Sequence, residues 1–115
     1  MGVDFSGTVE AVGKSVTRFK PGDEVFGGRT GAFAEYVVVR ESRAVALKPA
    51  NVSHEEAAAV PVAALTALQA LREEGKLQAG QKVLINGASG GVGTYAIQLA
   101  KVMGAEVTGV CSGRN

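Results

Sequence analysis

Eight residues, Asn86-Gly87-Ala88-Ser89-Gly90-Gly91-Val92-Gly93, carry the clearest chemistry in the chain. Gly87, Gly90 and Gly93 are spaced G-x-x-G-x-x-G. The dinucleotide fingerprint is G-x-G-x-x-G, so from its end Gly90 and Gly93 fill the second and third places and Ala88 stands for the first. Gly90 lets backbone approach a pyrophosphate with no Cβ in the way, and Gly93 lets a helix pack close to a strand. Main-chain amides around 89–93, at the positive end of a helix dipole, then cradle an anion, and Ser89 adds a hydroxyl donor. The acceptor for an NAD ribose should be a carboxylate about 20 residues further on. No carboxylate lies between Val107 and Asn115; Ser112 and Arg114 stand there instead. A hydroxyl and a guanidinium suit a 2′-phosphate, which points to NADPH over NADH. The plainer readings are a ligand-free strand–helix corner and a solvated Arg114.

Other candidates are weaker. Cys111 and His54 are the only cysteine and histidine. Zinc sites draw three or four Cys, His or carboxylate ligands together, so no metal is expected. Cys111 reads as a small apolar residue ending a buried strand, and His54 as a solvated first-turn residue. Tyr36 and Tyr95 are proton donors by chemistry alone; Tyr36 is expected to pack in a sheet and Tyr95 on the sheet-facing side of its helix. The segment from Gly7 to Gly13-Lys14-Ser15 imitates a phosphate-binding P-loop, but five residues separate its glycines where four are required, and TVEAV is strand-like. MGVDFS matches a myristoylation start, although Gly2 also reads as a turn glycine before a strand.

The elements that position these residues follow from pattern. In 115 residues with 46% hydrophobic and 20% charged content, one globular domain with a real core is expected. A net charge of +1 gives no bulk attraction to nucleic acid or anionic membrane. No apolar run approaches the roughly 20 residues of a bilayer span, so no membrane partner is expected. With one cysteine no internal disulfide can form, which favours a reducing, cytoplasmic setting. The first half is strand-rich: Phe5–Val12, the Pro21–Val25 turn, Phe33–Val39 and Ala44–Leu47, suggesting a small barrel or folded sheet. Ser53-His54-Glu55-Glu56 is a capping box. A short helix follows, broken near Val60 by Pro61, then a longer one to about Glu74. Ala64, Leu65, Leu68 and Leu71 share a face of that helix, and Gly75 suits a left-handed terminus. Strand Lys82–Asn86, helix Gly91–Met103 and strand Glu106–Val110 make a βαβ unit, with Val92, Ala96, Leu99 and Met103 as the helix stripe.

GVDFSGTVEAVG, PGDEVFG, GAFAEYVVV, AAAVPVAALTALQAL and VLINGASGGVG occur in the order seen in medium-chain dehydrogenase/reductases. Across essentially all its length the chain resembles their zinc-independent quinone oxidoreductase branch. The resemblance implies an α/β protein: residues 1–52 as part of a GroES-like β-barrel domain, and 53–115 as part of a Rossmann domain with its leading helices. It implies hydride transfer from NADPH to a small-molecule acceptor, a quinone or activated C=C bond. Zinc-using relatives carry His-Glu where this chain has Val3-Asp4, and the cysteine-rich zinc lobe is absent. By the same resemblance Thr66 lies near the nicotinamide–ribose end, Ser89, Gly90, Gly91 and Val92 meet the pyrophosphate, and Ser112 and Arg114 surround the adenosine phosphate. A helix-interior hydroxyl bonded to its own backbone is the alternative for Thr66.

Set against complete relatives, the chain reads as a fragment, with exposed sheet edges that invite homo-oligomerisation and weak or absent turnover in isolation. Two rival readings are a non-catalytic nucleotide-binding or assembly module and a small fold without ligand.

Overall fold

The computed structural model describes residues 1–114 and divides into two compact units, Met1–Val62 and the part from Ala63 onward. The first unit is an antiparallel sheet of β1 (Asp4–Thr8), β2 (Glu24–Gly28) and β3 (Val45–Leu47), in that order. Ser6 pairs with Phe26, and Phe26 with Ala46. The turn before β2 forms as its composition dictates. Gly22 takes φ +90°, and the Asp23 carboxylate accepts the Lys20 N–H at 2.9 Å. Gly27 is demanded by sheet geometry, because a Cβ there would stand 2.1 Å from the Ala44 carbonyl oxygen. Against the sheet lies α1 (His54–Ala58). Its capping box is complete: Ser53 Oγ accepts from Glu56 N–H at 3.1 Å, and Glu56 Oε2 accepts from Ser53 N–H at 2.8 Å. Val25 and Ala57 are buried in this unit, as are Gly27 and Pro61.

Phe33–Val39 is not a strand, despite its β-branched and aromatic content. Phe33, Tyr36 and Val38 are exposed, at 85%, 75% and 85%. Propensity needs a partner ladder to satisfy the backbone, and no described strand pairs with this segment. The expected packing of Tyr36 in a sheet fails with it. Gly2 stands before β1 at φ +82°, and its carbonyl accepts the Gly31 and Ala32 N–H groups, a contact with a distant segment rather than a local turn. The P-loop imitation is dismissed by structure as well: Gly7 lies inside β1, Gly13 closes a turn with Val16, and no helix follows Lys14-Ser15.

Helix α2 spans Pro61–Gln69, with proline at its first position. The Asp4 carboxylate accepts the Val62 N–H at 3.0 Å, satisfying one of the amides a helix start leaves unpaired. A π-helical turn, Ala70–Glu74, continues it. Gly75 closes that turn with right-handed φ −77°, and the left-handed residue is Lys76 at φ +46°. Glycine is still needed at 75, since a Cβ would lie 2.9 Å from the Ala70 oxygen that accepts the Gly75 N–H. Pro61, Ala67 and Leu71 are buried here, while Leu65 is 46% exposed. The apolar stripe is thus rotated away from Leu65 by the small residue Ala67.

The second unit continues with β4 (Lys82–Asn86), α3 (Gly91–Val102) and β5 (Glu106–Val110), a parallel βαβ unit. Its core comprises Ala67, Leu71, Ile85, Ala88, Ala96 and Ala100, with Tyr95, Ile97, Leu99 and Met103 packed alongside. Tyr95 therefore takes its expected place, whereas Val92 at the head of α3 is 41% exposed. Gly104 ends the helix at φ +82°. Cys111 is exposed, because β5 is covered on too little of its length to bury its end.

Candidate functional site

Parallel pairing defines the geometry. Asn86 ends β4 opposite Val110, which ends β5, so residues 87–93 and 111–114 leave the sheet at one edge. The Ala88 N–H donates to the Val110 carbonyl at 2.9 Å and ties the turn to the second strand. Gly87, at φ +72°, supplies the left-handed bend, and its carbonyl accepts the Gly90 N–H at 3.0 Å. The tight-turn task thus falls to Gly87, one position before Ala88, which is buried. Gly93 is required by packing: a Cβ there would stand 2.2 Å from the Gly87 oxygen and 2.9 Å from Ala88 Cα. Gly109 has a matching task, since its Cβ would meet the Ala88 Cβ at 2.9 Å. A glycine inside an apolar strand was its only sequence signal.

Gly90 and Gly91 are different. Gly90 is the N-cap of α3, with φ −77° and ψ 167°, values open to any residue, and it makes no side-chain cap. Gly91 is helical, and a Cβ there would meet nothing within 4 Å. The fold itself has no use for glycine at 91. What the missing side chain leaves is open space over the helix start. The first intrahelical bond is Thr94 N–H to Gly90 O at 2.9 Å, which leaves the amides of 91–93 without an acceptor inside the helix. No acidic residue occupies the first turn, so the positive end of the dipole meets no local carboxylate. The residues present fit a bound diphosphate.

The structure gathers Ser89, Gly90, Gly91, Val92 and Gly93 at this corner, with Ser112 and Arg114 beyond the end of β5 on the same sheet edge. All but Gly93 are exposed. Thr66 sits on the exposed side of α2, an element outside the corner. Its hydroxyl makes no bond to its own helix, whereas Thr94 does, donating to the Gly91 carbonyl at 3.0 Å.

One network escaped the sequence reading. His54 is engaged rather than solvated: Nδ1 lies 2.8 Å from Ser6 Oγ, and Nε2 lies 3.1 Å from Glu24 Oε1. Lys48, its side chain 5% exposed, pairs with Glu24 Oε2 at 3.0 Å and donates to the Val52 carbonyl at 2.7 Å. The Lys48 hydrogen bond holds the Glu24 carboxyl below its ordinary value, against partial desolvation and with help from His54. Among the described residues no three His, Cys, Asp or Glu side chains form a group that holds a metal. No described helix is long and apolar enough to cross a membrane.

Residues 1–50 match the alcohol dehydrogenase GroES-like domain family. The chain is 46% identical over 120 residues to the mitochondrial NAD(P)H oxidoreductase RTN4IP1 of Homo sapiens, covering 97% of this chain and 30% of that protein. The crystal structure of CurK enoyl reductase is similar at a TM-score of 0.92 and 36% identity, over 97% of this chain and 34% of that one. The quinone oxidoreductase of Coxiella burnetii gives 0.91 and 39%, over 100% and 37%. The chain spans about a third of the length of these relatives.

Proposed function

The chain belongs to the quinone oxidoreductase-like medium-chain dehydrogenase/reductases, and we propose that its β4–α3 corner holds the pyrophosphate of NADPH for reduction of a small acceptor. The carrying observation is the open space at Gly91 over an uncapped helix start. Bound there, the nicotinamide cofactor would supply the hydride. The chain's own residues do the holding. The amides of 91–93 donate to the diphosphate oxygens, Ser89 borders them, and Gly93 keeps α3 close enough to aim those amides. Ser112 and Arg114 are the proposed partners of a 2′-phosphate, and Thr66 the proposed neighbour of the nicotinamide ribose.

The acceptor class is a quinone or an activated C=C bond, since the similar proteins include a quinone oxidoreductase and an enoyl reductase by name. A zinc-independent reaction is proposed from the donor set. Val3 cannot ligate, the Asp4 carboxylate is taken by the Val62 N–H, and His54 is held by Ser6 and Glu24. Residues 1–52 are proposed to belong to the acceptor-side domain and 53–115 to the cofactor-side domain, in a homo-oligomer. The cytoplasm is the proposed location on the single-cysteine argument; the mitochondrial name of the human relative makes the mitochondrion the competing compartment.

Calorimetric titration with NADPH, NADH and adenosine 2′,5′-bisphosphate tests the reading. NADPH and the bisphosphate are expected to bind, and NADH to bind more weakly. Failure of all three to bind would refute it.

A further inference from the structure

The first unit contains a cleft that the nicotinamide reading does not use. It encloses about 480 Å³ and is lined by Gly28, Arg29, Thr30, Val38, Arg40 and Arg43. That volume falls in the range of roughly 300–1,000 Å³ found for small-molecule clefts. Half of the lining residues are arginines and none is acidic.

Backbone geometry explains the convergence. The Gly28 N–H donates to the Ala44 carbonyl at 2.9 Å, laying the end of β2 beside residues 43–45. The Arg43 N–H donates to the Arg40 carbonyl at 2.9 Å, so one turn carries both arginines. Arg29 is anchored through the inner nitrogen of its guanidinium: Nε–H donates to the Val38 carbonyl at 3.1 Å, which leaves both terminal nitrogens for another acceptor. The acid within the turn, Glu41, is already committed. Its carboxylate accepts the Thr17 and Arg18 N–H groups at 3.1 and 3.0 Å, and its carbonyl accepts from the Arg18 guanidinium. Among the described residues no ion pair joins Arg29, Arg40 or Arg43 to a carboxylate.

Three uncompensated guanidiniums around one concavity repel each other unless an anion sits between them. Their planar forks match the oxygens of a phosphate, and the Thr30 hydroxyl offers a further donor. We propose that this cleft binds the phosphate group of a small phosphorylated ligand, at a place separate from the phosphate turn of the second unit. A polyanion fits less well, because the whole chain carries a net charge of only +1 and nucleic-acid binding draws on an extended basic surface.

The test is an NMR titration of the arginine Nε–Hε resonances with inorganic pyrophosphate, at roughly 150 mM sodium chloride where exposed charges are screened beyond about 8 Å. Parallel arms use ribose 5-phosphate and inorganic phosphate, to separate an ester ligand from the free ion. Saturable shifts are expected at Arg29, Arg40 and Arg43. The exposed double variant Arg40→Gln/Arg43→Gln should retain the amide spectrum and lose at least about tenfold in affinity at this site. Responses of the 89–93 amides report the phosphate turn separately, so either site can fail alone. Unmoved arginine resonances, or wild-type affinity in the double variant, would overturn the proposal. So would an oligodeoxythymidylate whose affinity climbs steeply with length, which would mark the cleft as part of a nucleic-acid surface.

Discussion

Replacing Gly91 by alanine separates space the fold needs from space a ligand needs. A Cβ at 91 meets no atom within 4 Å, and the residue is already helical. Glycine to alanine at a compatible helical position stabilises by roughly 0.4–1 kcal/mol, mostly by restricting the unfolded chain. Each 1 kcal/mol moves Tm by about 4–8 °C in a domain of roughly 60–100 residues, so thermal unfolding should shift upward by a few degrees. The same methyl group would occupy the open side of the amide cradle. Hydrogen bonds to charged groups contribute about 1.5–3 kcal/mol each. Weakening one therefore predicts a loss of roughly 10–100-fold in NADPH affinity. Gly93→Ala is the contrast, because its Cβ would stand 2.2 Å from the Gly87 oxygen. There overpacking should cost about 1–3 kcal/mol, and binding should fall together with stability. Circular dichroism melts and NADPH titrations on the same samples read both quantities. A Gly91→Ala protein that is more stable and binds NADPH as tightly as the parent would refute the cradle.

Arg114→Gln should weaken NADPH binding by about tenfold while leaving NADH unchanged, since only the 2′-phosphate loses a charge-assisted partner; paired titrations measure the ratio. Glu24 has a folded-state pKa below its unfolded value, so its contribution to stability is present above the ordinary glutamate range and is lost as pH falls through the lower folded value. Urea unfolding from neutral to acidic pH should show that acid-side loss, and Glu24→Gln should flatten it. Ser53→Ala removes half of a capping box that is complete in the structure and should cost about 1 kcal/mol in urea unfolding.

How much was legible in the sequence depended on how local each cause was. The capping box at Ser53–Glu56, the turn at 20–23, the break at Pro61 and the glycine-ended helix before β5 all arise within a few residues, and each appears where its pattern placed it. The βαβ unit was legible too, because hydrophobic period and glycine punctuation agree along 82–110. Phe33–Val39 misled because strand propensity is redeemed only by a neighbouring strand. Leu65 misled because packing in the folded unit decides which side of α2 is covered, and that side carries Ala67 rather than Leu65.

From residue order alone came the resemblance to the family, carried by whole segments, most of the elements in their order, and the corner proposed to hold an anion. The elements and the corner are consequences of short-range stereochemistry: glycine conformations, helix starts and alternating apolar positions. Contacts between residues far apart in the chain were decided by folding. Ser6 and Glu24 join His54 across 48 and 30 positions, Lys48 joins Glu24 across about 24, and three arginines meet around one cleft because β2 ends beside the turn before β3. No spacing rule encodes such meetings. They exist only once sheet register has chosen which carbonyl lies opposite which amide.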